Sequence, residues 1–181
     1  CASGAGRPPP PFMDTLRVAI VSSRSLPGQP DRNLTDHLAW MYRAAGAGAR
    51  LVLFPELSLS GYSTHPRMRR SAERLDGPRV RRLSREARAR GIFAAFGAIL
   101  SVRRRLYISH ILVGPGGLLG HYEKVHLAPA TTGERDLFSA GSRFKVFDVA
   151  GVCVGINICY DGRHPASSLA VAHLGAEVIL H

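Results

Sequence analysis

Short runs of consecutive apolar residues recur along this chain, each stopped by a proline, a glycine or a polar turn. Residues 16–22 (LRVAIVS), 51–54 (LVLF) and 92–100 read as buried strands. A layer of such strands must be covered on both faces. That requirement limits the fold more than any other feature. Cover is predicted from helices over 33–46, with Leu34, Leu38, Met41 and Ala45 on one face, over 78–90, with Val80, Leu83 and Ala87 inward, and over 166–174. Gly46, Gly91 and Gly175 punctuate the ends of these helices.

The middle of the chain reads as a meander. Segments 106–113 and 118–122 flank Gly114-Pro115-Gly116-Gly117 as a hairpin, and strands 144–149 and 152–158 turn about Ala150-Gly151. A strand over 177–180 closes the sequence. Helices and strands alternate at both ends around this meander, so the expected class is mixed α/β (α+β). Residues 1–12 (CASGAGRPPPPF) lack periodicity and are expected to be a disordered Gly/Pro-rich leader, with residues 13–181 forming one domain. Three helices for about eight strands leave apolar surface uncovered, so the domain is expected to be C-terminally incomplete.

Charge and cysteine usage narrow the function classes. The 181 residues carry 24 Lys+Arg against 13 Asp+Glu, a net charge of +11. Only Lys124 and Lys145 are lysines, and ten arginines fall between Arg67 and Arg90. No aromatic residue interrupts 71–90, so this run reads as a solvated helix face, and no nucleic-acid partner is expected. No stretch reaches the roughly 18–20 apolar residues of a membrane-spanning helix. Cys153 and Cys159 lie six apart in a run read as extended, about 20 Å, too far to pair with each other. The chain is not a disulfide scaffold, and a reducing, cytoplasmic location is expected.

Three segments place reactive groups where predicted strands end, the usual position of sites in α/β proteins. Glu56 follows LVLFP, Lys124 leaves the hairpin in YEKVHL, and Cys159 ends GINIC before Tyr160-Asp161-Gly162. A thiol, a carboxylate and a cation form a coherent chemical set. A free thiol with a pKa near 8.5 is only about 3% thiolate at pH 7, so it needs a base or a neighbouring cation.

LVLFPELSLSGY, YEKVHL and INICYDGRHP, in this order and spacing, resemble the three signature blocks of the carbon–nitrogen hydrolase (nitrilase) superfamily, in its amidase-like branch. The likeness runs from about Leu16 to Leu180. It implies a four-layer αββα sandwich of which this chain supplies roughly the first two thirds, and a homo-oligomeric full-length form. It also implies Cys159 as nucleophile, Glu56 as general base and Lys124 as oxyanion partner. Substrate-positioning roles are implied for Glu134, for Tyr160 through its backbone N–H, and for Arg163. Arg163 is suited either to a substrate carboxylate or to tying the turn to a neighbouring loop.

The implied activity is cysteine-dependent hydrolysis of a non-peptide C–N bond in a small linear amide or N-carbamoyl (ureido) compound, through a thioester, with release of ammonia. No cofactor or metal is required, and no membrane partner is implied. The alternative is a catalytically inactive remnant or interaction protein of the same fold. One departure stands out: Ala166 follows Pro165 where many members have glutamate. His126 and His164 are read as structural.

Overall fold

In the computed structural model, which describes residues 15–181, the apolar runs become strands, several of them shorter than the runs themselves. Those at 51–53 and 93–102 are largely buried, whereas the expected buried strand over 16–22 is reduced to 18–20 at the sheet edge, half-buried, with Ile20 exposed. The expected leader lies outside the described residues. β1 (Val18–Ile20), β2 (Leu51–Leu53) and β3 (Phe93–Val102) pair in parallel. β4 (Arg105–Gly114) and β5 (Gly117–Glu123) then add antiparallel, giving a five-stranded sheet in the order β1-β2-β3-β4-β5. A second sheet has the order β6-β7-β8, from Val146–Val149, Val152–Ile156 and Val178–Leu180.

The crossovers between the parallel strands are α1 (Pro30–Gly46) and α2 (Pro78–Arg90). Both lie on one face of the larger sheet, where Met41, Val80, Leu83 and Ala87 pack with Val52, Phe54, Phe96 and Ala98. The other face packs on the second sheet, with Leu51, Ile99, Ile108 and Tyr122 against Val149, Val154 and Ile156. α4 (Pro165–His173) covers the far side of the second sheet, with Val171 lying 2.8 Å from where a Cβ on Gly155 would stand. The layers therefore run helix, sheet, sheet, helix, the αββα arrangement that the motifs imply. No helix among the described residues is long and apolar enough to cross a membrane.

Three differences from the sequence reading have physical causes. α1 begins three residues earlier, at Pro30, because the first helical turn needs no N–H there. Its buried stripe is Pro30, Asn33, His37, Met41 and Ala44, while Leu34, Leu38 and Ala45 are only partly buried. The polar pair is admitted to the interior because its hydrogen bonds are met: Asn33 Nδ2 donates to the carbonyls of Leu26 and Leu59, each at 2.9 Å. The β3–β4 hairpin turns at Arg103-Arg104, both left-handed at φ 46° and 66°, where no glycine or asparagine marked a turn.

The arginine-rich helix does turn Val80, Leu83 and Ala87 inward. Its outer arginines are partly neutralised. Arg79 pairs with Asp31 and Glu73, Arg90 with Glu86, and Arg88 donates to the carbonyls of Pro115 and Gly116.

Candidate active site

Glu56, Lys124, Glu134 and Cys159 converge beyond the ends of β2, β5 and β7. Glu56 sits on a tight turn after β2. Leu57 takes a left-handed φ of 51°, and the turn crosses β3 directly over Gly97. Any Cβ on Gly97 would stand 2.2 Å from Leu57 N and 2.5 Å from the Pro55 carbonyl oxygen, so the turn can lie there only against a glycine.

Lys124 follows β5, two residues beyond Tyr122, and is fully buried. Its Nζ lies 2.8 Å from Glu56 Oε1 and 3.1 Å from both carboxylate oxygens of Glu134. Burial pulls the ammonium pKa down, but Glu56 and Glu134 outweigh it and the net shift is upward. Lys124 is therefore a permanent cation here. An ammonium has three N–H groups. One serves Glu56 and one can bridge Glu134, which leaves a third for a ligand oxygen.

Glu134 opens the short helix α3 (Glu134–Leu137) after the left-handed Gly133 and is 1% exposed. Besides Lys124 it accepts hydrogen bonds from Tyr62 Oη at 2.9 Å and from Ala128 N at 2.8 Å. Burial and this carboxylate raise the Tyr62 phenol well above its ordinary value, so the hydroxyl stays a donor.

Cys159 is the first residue of a 3-10 turn over Cys159–Arg163 and has a left-handed φ of 46°. For a residue with a side chain this conformation costs roughly 1–2 kcal/mol, so surrounding contacts must hold it. Asp161 supplies them. It is fully buried and accepts from Ile158 N at 3.0 Å, Tyr122 Oη at 2.8 Å and His126 N at 2.7 Å. The turn that presents the thiol is thus pinned to the strand that presents the ammonium.

The thiol is free and exposed, and the Glu56 carboxylate lies near enough to act on its pKa. Burial around the sulfur and the Glu56 charge push its pKa above the ordinary value, against a smaller downward pull from Lys124. It therefore holds its proton at neutral pH, beside a carboxylate able to take it.

The other candidates sit around this centre. Tyr160 is the second residue of the same turn, where backbone N–H groups have no partner within the turn. Its ring makes an edge contact with His164, at 5.2 Å between centroids. A cleft of about 370 Å³ opens beside it, lined by His126, Arg135 and His164 among others. Arg163 ends the turn and is exposed, and no hydrogen bond or ion pair engages it among the described residues. His126 and His164 stack at 4.0 Å, and His126 bonds to Asp161, which fits a structural part for both. Sequence reasoning did not find Tyr62 or the clamp made by Asp161. A tyrosine six residues beyond Glu56 and an aspartate two beyond the cysteine carried no spacing rule of their own.

The carbon–nitrogen hydrolase family model matches residues 17–181. The chain belongs to the carbon–nitrogen hydrolase family. Among curated members it is 35% identical over 165 residues to an (R)-stereoselective amidase from Pseudomonas sp, covering 91% of this chain and 59% of that one. It is 33% identical over 170 residues to a nitrilase from Pyrococcus abyssi, covering 92% and 64%. Among solved structures, an amidase from Nesterenkonia sp. AN1 superposes with a TM-score of 0.81 at 28% identity, covering 91% of this chain and 63% of that one. That structure is a double variant in complex with acrylamide. The chain thus spans about 60% of the length of these carbon–nitrogen hydrolases.

Proposed function

We propose that the chain carries the catalytic centre of a cysteine-dependent hydrolase acting on a small linear carboxamide or N-carbamoyl compound. The observation that carries this reading is the Lys124 ammonium held between Glu56 and Glu134, with the protonated Cys159 thiol near enough for these charges to act on it.

Chemistry follows from those protonation states. As sulfur attacks the carbonyl carbon, Glu56 takes the thiol proton, so the S–C bond forms without a free thiolate. The carbonyl π electrons move onto oxygen. The third N–H of Lys124 and the backbone N–H of Tyr160 would hold the resulting alkoxide, a contribution of about 2.7–4 kcal/mol per donor in comparable sites. Glu56 passes its proton to the departing nitrogen, the C–N bond breaks and ammonia leaves a thioester. Water then attacks the thioester with Glu56 as base, the C–S bond breaks and the proton returns to sulfur. Glu134 acts by fixing Lys124, and Arg163, exposed beside the turn, is the group available to a substrate carboxylate. Amides are favoured as substrates by the likeness to the Pseudomonas and Nesterenkonia amidases.

Ammonia release from short aliphatic amides and ureido acids tests the reading. Cys159→Ala is expected to abolish turnover, and Glu56→Gln to lower kcat by at least about 10²-fold, the usual weight of a general base. Turnover that survives in Cys159→Ala would overturn the assignment.

A further inference from the structure

Two buried histidines flank the segment carrying Glu56, one on each face of the larger sheet, and neither is among the reacting groups. His37, on α1, is 2% exposed, and its ring stacks on Phe54 with centroids 4.2 Å apart. Nδ1 lies 2.7 Å from the Asn33 carbonyl oxygen and Nε2 lies 2.9 Å from Ser58 Oγ. A carbonyl oxygen only accepts, so Nδ1 holds the proton and the bare Nε2 accepts from the Ser58 hydroxyl. Ser58 Oγ in turn accepts from Gly97 N at 3.1 Å. A continuous chain of hydrogen bonds therefore runs from α1 through Ser58, two residues after Glu56, to β3.

His110 works from the opposite face. It lies on β4, in register with Gly97, on the side that packs against the second sheet. Its Nε2 is 3.1 Å from the Phe54 carbonyl oxygen, so Nε2 carries the proton here. Nδ1 is buried and has no partner among the described residues. An unpaired buried polar atom is costly, and an apolar side chain of similar size would avoid that cost. What the imidazole supplies in exchange is the bond to Phe54.

We infer that His37 and His110 are positioning residues for Glu56, fixing Ser58 and Phe54, the residues two places after and before it. The inference rests on the proposed role of Glu56 as the base. The segment needs such support because Leu57 is held left-handed and Glu56 is itself 19% exposed. A misplacement of about 1 Å at a reacting group can cost 10²-fold in rate.

The test combines amide turnover with the pH profile of Cys159 alkylation by iodoacetamide, a readout that does not need turnover. Glu56, Lys124 and Glu134 are the charges facing the thiol. Glu56 raises the thiol pKa, so Glu56→Gln is expected to lower the alkylation midpoint. His37→Phe keeps the stack and removes both ring hydrogen bonds, and His110→Leu removes the bond to Phe54. Each is expected to lower the midpoint in the same sense and to cut kcat by about 10²-fold, with KM held within about threefold. Neither is expected to add to the effect of Glu56→Gln, because residues acting through one group are non-additive. His110→Gln, whose amide N–H can reach the Phe54 oxygen, is expected to recover most of the loss.

Unchanged midpoints in both histidine variants, or losses that multiply with Glu56→Gln, would overturn the inference. If the midpoints shift as expected while no amide is hydrolysed even by the unsubstituted chain, the catalytic reading fails and the positioning of Glu56 stands.

Discussion

At Gly97 the turn bearing Glu56 passes over β3 with no room for a methyl group, and the atoms it would meet are the Leu57 nitrogen and the Pro55 oxygen. Both are backbone atoms in a turn already tied to Gly97 by Leu59 N at 2.8 Å and by Ser58 Oγ. They cannot swing aside as the end of a side chain could. Gly97→Ala is therefore expected to lift the turn, lowering stability by about 1–3 kcal/mol, as overpacking does. Moving Glu56 away from the thiol is expected to lower kcat for amide hydrolysis by about 10²-fold in the same variant. Urea denaturation and ammonia-release kinetics read the two effects separately. Wild-type values for both would mean that the turn has slack which the contacts at Gly97 deny. In the sequence this residue is only a glycine inside FAAFGAILSV, since close approach by a distant segment leaves no local mark.

Among elements, the turn Cys159–Arg163 and the strand β5 are the pair whose relation matters most, and Asp161 joins them. Ile158 N, Tyr122 Oη and His126 N all donate to it, an arrangement that needs an acceptor on both oxygens. Burial and the Asp161 charge raise the Tyr122 phenol well above its ordinary range, so Tyr122 stays a donor too. Asp161→Asn puts an NH₂ where one of these donors points. The expected result is a loss of about 1.5–3 kcal/mol, the range for hydrogen bonds to a charged group, with slower thiol alkylation and a kcat deficit larger than the KM change. A variant with normal stability and normal kcat would remove the clamp from the account. The strands that bring the proposed reacting groups together were legible from their apolar runs, and the convergence of Glu56, Lys124 and Cys159 from ordered motifs. The clamp was not, because its partners are 39 and 35 residues apart and meet only once two sheets have packed. The same holds for α1. Leu34, Leu38 and Ala45 mark a helix correctly, yet the apolar pattern selects a stripe beside the deepest one, where Asn33 and His37 are admitted by tertiary hydrogen bonds.

On the scale of the whole molecule, two apolar layers share one sheet, and each layer encloses one of the histidines that flank Glu56. Burial lowers the pKa of both His37 and His110 to about 4, from an ordinary value of 6.5. Between pH 6.5 and 4 the unfolded chain binds protons at these positions that the folded chain does not, so stability rises with pH across that window. The stability these neutral rings allow is fully present above pH 6.5 and is lost as pH falls toward 4. Each contributes a slope of about 1.4 kcal/mol per pH unit well inside the window. His121 is lowered as well, first by burial and then by Lys145, and contributes in the same sense. Ordinary carboxylates begin to matter near pH 5 and below, and Glu73, which burial raises, is present with or without the histidines, so a difference in slope from pH 6.5 to 5 reports the histidines. Urea midpoints across that interval are expected to fall steeply for the chain as it stands and less steeply for the double variant His37→Phe/His110→Leu. The difference in slope is the readout, because it is insensitive to whatever fixed stability the substitutions cost. Equal slopes in the two proteins would show that both rings protonate as easily folded as unfolded, which buried rings could do only if the two layers opened to water around them.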